Sequence, residues 1–238
     1  MTQITTTYID HMGSDLSVVN AARVSFGKKS HFEGRVGGPN VLSERDTKLV
    51  KYLAKHKHIS PFGHAFASFH IKAPIFVARQ LVKHKFLRWN EISRRYVDDE
   101  PEFYVPDVWR GRSADKKQGS SDEVITEFLV QGADRYTPDR IKSMMDIDDG
   151  YDSVMQESCL SLYRDFIKAG VAPEQARMVL PQSTMTEWYW SGSLDAFADM
   201  CRLRCKEDTQ YESRLVADQV STIMQDLYPV SWSALMGE

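Results

Sequence analysis

Apolar positions along the chain follow helical spacing in some stretches and strand alternation in others. Ser43 opens a capping-box pattern with Asp46, and Leu49, Val50, Leu53 and Ala54 follow at helical intervals, which predicts a helix running to about Lys57. From Ala65 to Ile71 apolar and polar residues alternate, the period of a half-buried strand. Pro74 then suits the first turn of a helix carrying Phe76, Val77, Leu81 and Val82. The stretch 97–118, broken by Pro101, Pro106 and Gly111, reads as a long loop, and Ser121 as the start of another helix. Further helices are predicted at about 151–168, 194–206 and 210–226, with a strand from Thr184 to Trp190. This mixture without a repeating βαβ order predicts an α+β fold with a central sheet and flanking helices, as a single domain over 1–238.

Composition narrows the class. With 238 residues, 42% hydrophobic and 26% charged, the chain can bury a core without disulfides, and no apolar run reaches the roughly 20 residues a membrane span needs. The first residues lack the basic start and apolar stretch of a secretory signal, and three cysteines cannot pair evenly, so the expectation is a reduced, cytoplasmic protein. A formal charge of -3 provides no global attraction to nucleic acid, so any anion must be held by a local cluster of cations.

Such a cluster lies between Gln80 and Tyr96, where cations and one histidine surround Asn90, Glu91 and Ser93. Arg79 and Lys83 are four apart, as are Gln80 and His84, so a helix here would put each pair on one face. A basic run is ordinarily a solvated face. Here Phe86, Leu87, Trp89 and Ile92 intervene, and cations beside apolar groups call for anionic partners. Arg94 and Arg95 follow at once and could contact a phosphate through two donors each.

The segment resembles flavin-dependent thymidylate synthases, whose signature is Arg-His-Arg, seven residues, then Ser, with Asn-Glu before that Ser and Arg-Tyr after it. Lys83-His84-Lys85 is followed by seven residues and Ser93, with Asn90, Glu91, Arg95 and Tyr96 in register. Lysine keeps the charge of the outer arginines but loses their planar fork. The stretch from His58 to Gln80 is similar to the family's upstream segment, with Gly63 where the family has Glu. Residues 176–181 and the Leu-Arg at 203–204, followed by Thr209-Gln210, resemble its downstream motifs. The family often carries an Asn and an Arg near the stretch Ser193 to Asp195, an Asn where this chain has Asp199 and a His where it has Asp208.

The resemblance implies methylation of dUMP at C5, with 5,10-methylenetetrahydrofolate as carbon donor and FAD, reduced by NADPH, as hydride source. It implies that Gln80, Lys83, Glu91, Ser93, Arg94, Arg95, Arg177 and Arg204 surround dUMP, with Arg204 catalytic against the uracil ring. Ser60, Lys83, His84, Lys85, Glu91 and Asp199 would approach FAD. A homotetramer with shared active sites is implied as well. No G-x-G-x-x-G loop follows a strand, so the fold is not expected to be a Rossmann fold.

Three other readings compete. His56, His58, His64 and His70 could suggest zinc, but no Cys-x-x-Cys or H-E-x-x-H accompanies them, and no metal is expected. Cations interleaved with Phe86 and Trp89 suit a single-strand nucleic-acid module, yet the chain as a whole is acidic. A related flavin-dependent pyrimidine nucleotide hydroxymethylase or methylase is the third, since the lysines and Gly63 depart from the commoner pattern. None of Cys159, Cys201 and Cys205 sits in the Pro-Cys-His context of the unrelated cysteine-dependent thymidylate synthases.

Overall fold

A computed structural model describes residues 3–34, 41–97, 99–113, 119–125 and 151–237. The chain divides into two compact units: the first takes Gln3, Lys72–Arg79 and the described part of Glu91–Glu187, the second Ile4–Ile71, Gln80–Asn90 and Trp188 onwards. Apart from the step between Gln3 and Ile4, the chain passes from one to the other within regular elements. Those boundaries fall inside β2 (Phe66–Pro74), α3 (Ile75–Leu81), β3 (Arg88–Glu91) and β4 (Met185–Ser193).

With β1 (Thr5–Met12), these strands form one four-stranded sheet in the order β1-β2-β4-β3. The fold is α+β with helices flanking the sheet, and the order is not that of a doubly wound nucleotide-binding sheet. In the second unit alternate residues of β2 and β4 are buried: Phe69, Ile71, Trp188 and Trp190 are at most 1% exposed. Phe69 and Trp190 pack on Phe197 of α6 (Leu194–Arg204), whose ring meets theirs edge-on at 5.1 and 5.5 Å. Trp89 of β3 stacks on Trp188 with ring centres 4.3 Å apart.

Helices α1 (Asp15–Arg23), α2 (Glu44–Lys55), α7 (Tyr211–Leu227) and α8 (Pro229–Met236) complete the second unit. The Ser43 hydroxyl accepts the Asp46 amide at 3.1 Å, which starts α2 where the capping pattern predicts. Asp46 in turn is buried and takes hydrogen bonds from Arg23, Ser30 and Ser43. Asp15, also buried, accepts the amides of Val230 at 3.0 Å and Ser231 at 2.8 Å, satisfying orphan donors at the start of α8.

In the first unit α4 (Tyr151–Lys168) and α5 (Pro173–Ala176) lead to a short 3-10 turn at Arg177–Val179. Two expectations fail. Residues 121–125 are not helical: the Ser121 amide donates to Gly111 O at 2.9 Å and the Ile125 amide to Trp109 O at 2.8 Å, so this segment pairs with a neighbouring stretch, and 126–150 lies outside the described residues. Helix α3 stops at Leu81, so neither Lys83 nor His84 shares a helical face with Arg79 or Gln80. The His84 amide closes that end by donating to Leu81 O at 3.1 Å.

Candidate active site

In the first unit a cavity of about 380 Å3 is walled by α3, the end of β3, the Arg177 turn and β4. That volume falls within the roughly 300–1,000 Å3 of small-molecule sites. Among the described residues its lining carries three guanidiniums, Arg79, Arg94 and Arg177, and a single carboxylate, Glu91. Arg177 Nε donates to Glu174 O at 3.2 Å and Arg94 Nη1 to Asp99 O at 2.7 Å. Each bond uses one of the five donors a guanidinium has, and it fixes the stem. Glu91 is held from β4: the Thr186 hydroxyl donates to Glu91 Oε1 at 2.7 Å, while the next residue's amide, Ile92 N, donates to Glu187 O at 2.9 Å. A pocket with excess fixed positive charge, one carboxylate and apolar walls from Ile75 and Met178 suits a phosphorylated ligand with a sugar or base.

The second unit holds Ser60, Gln80, Lys83, His84, Lys85, Asp199 and Arg204 of the predicted groups. Arg204, the last residue of α6, donates from Nε to His84 Nε2 at 3.1 Å. Both are half-buried. Burial and the nearby Arg204 charge push the His84 pKa below its ordinary value, with Asp199 opposing, and burial lowers that of Arg204. After His84 the chain turns sharply, because Phe86 adopts φ 68° and leaves its ring 83% exposed while Leu87 is buried. Gly192 makes room for this turn: a Cβ there would lie 2.4 Å from Leu87 Cδ2 and 3.3 Å from Phe86 O. A cleft of about 670 Å3 in the same unit is lined by Lys28, Arg45 and Ser60 together with Phe26, Tyr52 and His58.

Of the residues expected around a nucleotide, the first unit therefore gathers Glu91, Arg94 and Arg177 in one pocket. Ser93 and Arg95 turn to each other, Arg95 Nε donating to Ser93 Oγ at 3.1 Å with its guanidinium over the Tyr96 ring. Gln80, in the second unit, donates to Gln210 and accepts from the Ser213 hydroxyl at 3.3 Å. Lys83 and Lys85 are exposed. Asp199 is also exposed and pairs with Arg202 one turn along α6. Thr186 is a pocket residue that the motifs did not single out, and Arg79, noted only for its spacing to Lys83, was not among the expected site residues. Thr186 could have been found as a polar residue in a strand of otherwise apolar buried positions. Among the described residues no three of His, Cys, Asp and Glu gather as a metal site, and no helix is long and apolar enough to cross a membrane.

Fold and pocket define an α+β protein with an arginine-lined cavity and, in its sequence, no G-x-G-x-x-G after a strand. The chain belongs to the family described as thymidylate synthase complementing protein, whose model matches residues 7–230. The flavin-dependent thymidylate synthase of Thermus thermophilus is 34% identical over 226 residues, 95% of this chain and 73% of that protein. That of Thermosipho africanus is 35% identical over 228 residues, 96% of this chain and 89% of that one. A UMP/dUMP methylase, PolB, from Streptomyces cacaoi, solved with 5-Br dUMP bound, matches with a TM-score of 0.76 at 29% identity, over 100% of this chain and 96% of its own. Membership makes this chain an enzyme, a methyltransferase of the flavin-dependent thymidylate synthase kind.

Proposed function

We propose that the chain converts dUMP to dTMP with 5,10-methylenetetrahydrofolate as carbon donor, FAD as flavin and NADPH as its reductant. The arginine-lined cavity carries this reading: three guanidiniums in one small pocket fit a dianionic phosphate, and Glu91, oriented by Thr186, can accept from a ligand hydroxyl. Ser93 and Arg95, on the turn after β3, would add phosphate donors on binding, and Gln80 and Lys83 would complete the nucleotide contacts. Arg204 acts on the pyrimidine ring. Its Nε is engaged by His84, so the terminal amino groups are the ones that meet negative charge developing when the uracil N3 proton leaves.

The residues present also fit a dinucleotide cofactor. Ser60 lines the larger cleft beside Lys28 and Arg45, which can face a pyrophosphate, and Phe26 and Tyr52 offer flat apolar surfaces for a ring. Lys85 and His84 would serve the same cofactor, and Asp199 would be its acidic neighbour on α6. When bound, the reduced flavin supplies the hydride that a cysteine nucleophile is not needed to prepare for. Cys201 agrees with that division of labour: it is buried, its thiol donates to Ala217 O at 3.6 Å, and burial drives its pKa well up, away from a reactive thiolate. We propose further that the enzyme works in the cytoplasm as one functional domain, in a homotetramer with shared sites, and binds neither nucleic acid nor membrane.

Incubation with dUMP, methylenetetrahydrofolate, NADPH and FAD should yield dTMP, and protein reconstituted with FAD should absorb in the visible blue. A protein that neither retains FAD nor forms dTMP would overturn the proposal. A second reading is favoured by the likeness to a UMP/dUMP methylase: the same chemistry on UMP, or a hydroxymethyl product. Product analysis with both nucleotides separates the two.

A further inference from the structure

We propose that His84 is the positioning residue of Arg204, holding its guanidinium by accepting a hydrogen bond from Nε. The inference rests on the reading that Arg204 faces the pyrimidine. A guanidinium has donors only, so the 3.1 Å contact requires a lone pair on His84 Nε2. The imidazole is therefore neutral, with its proton on Nδ1. One fixed acceptor at Nε selects one orientation of a long, rotamer-rich side chain and directs its two terminal amino groups away from the histidine.

The backbone on both sides of the contact is fixed. The His84 amide is tied to Leu81 O, and three residues on, Leu87 is buried against Gly192, where even a methyl group has no room. Arg204 ends α6, whose body is embedded through Phe197, Met200 and Cys201. The charged groups acting on His84 are Arg204 and Asp199 from α6, with Lys83 and Lys85 beside it in its own segment. Protonation would set N–H against N–H and cation against cation, so the contact exists only in the neutral form. The lowered pKa of His84 fits this arrangement.

The test compares His84→Leu, His84→Gln and Arg204→Ala with the parent as FAD-loaded enzymes, measuring kcat, the KM for dUMP and flavin absorbance from about pH 5 to pH 8. Gln places an amide oxygen near the position of Nε2 and does not titrate. His84→Leu should lose on the order of tenfold to a hundredfold in kcat, the scale of a misplaced catalytic group, while keeping its flavin. His84→Gln should recover a large part of that loss and lack the parent's fall in kcat at acid pH. The double variant His84→Leu/Arg204→Ala should be no slower than Arg204→Ala. Equal rates for Leu and Gln, or a loss accounted for wholly by flavin release, would overturn the assignment, the second by leaving His84 a cofactor contact alone. An Arg204→Ala enzyme that still turns over normally would sink the uracil reading itself, whatever the His84 variants do.

Discussion

The arginine pocket of the first unit and the imidazole–guanidinium pair of the second both hold cations in place, by different means. In the pocket the charges are fixed. Arg94 and Arg177 are steadied by backbone carbonyls of the same unit, and nothing in that arrangement depends on a proton that moves near neutral pH. In the pair, one cation is aimed by a group that accepts only while neutral. The pocket is suited to holding a permanent anion such as a phosphate, and the pair to meeting charge that appears during a reaction. The contrast teaches that binding and chemistry here should fail separately when mutated.

The hardest blow to that contrast comes from Arg204→Ala. It should cost roughly a hundredfold in kcat, about 3 kcal/mol for one donor to a developing oxyanion, with FAD still bound by absorbance. A variant that loses dUMP binding instead would merge the two regions into one. Arg177→Ala should raise the KM for dUMP about tenfold or more, the scale of one charge-assisted bond, and leave the weak binding of deoxyuridine unchanged. Ser93→Ala and Arg95→Ala should act in the same direction but less, because those two side chains already bond each other.

Acid sharpens the comparison further. His84 is held below its ordinary pKa, so the unfolded chain protonates first, and stability falls as pH drops below about 6.5 toward the folded value. Asp46 behaves oppositely in charge. Burial alone would raise its pKa, but hydrogen bonds from Arg23, Ser30 and Ser43 and the Arg23 charge outweigh burial and lower it. Its contribution is present above about 3.9 and is lost as pH falls through the folded value. Denaturant titrations across pH should therefore show two declines. His84→Gln should remove the upper one and Asp46→Asn the lower, the latter also costing about 3 kcal/mol near neutral pH because Arg23 loses its buried partner. Least of all should change when Cys159, Cys201 and Cys205 are replaced together by Ala or Ser. Turnover of the folded variant should stay near the parent's, and a variant that binds FAD and dUMP but forms no dTMP would show a cysteine at work.

Much of the fold was legible because it is written in local terms. The Ser43 cap, the alternation ahead of Ile71 and the helical periods near 151, 194 and 210 all reappear within a few residues of where they were read. What escaped depends on partners far along the chain. Helix α3 gives out at Leu81, and Phe86 takes a left-handed conformation because Leu87 has a place beside Gly192, a residue 105 positions away that no local pattern points to. Ser121 looked like a helix start on its own, but pairing with the 109–111 segment satisfies its amide. In the pocket, Glu91 and Arg94 belong to the stretch around Ser93 and Arg177 came only with the family resemblance of 176–181, whereas Thr186 acquires its part only once β4 lies beside β3.

The close seat of Leu87 on Gly192 has an evolutionary reading. A side chain at 192 overlaps Leu87 at 2.4 Å, so each position limits what the other can become. Gly192→Ala alone should dislodge the Lys83–Lys85 turn, and a shorter residue at 87 alone should leave a hole. A library that varies both codons at once should yield survivors in pairs, small at 87 with larger at 192, which neither single-site library would contain.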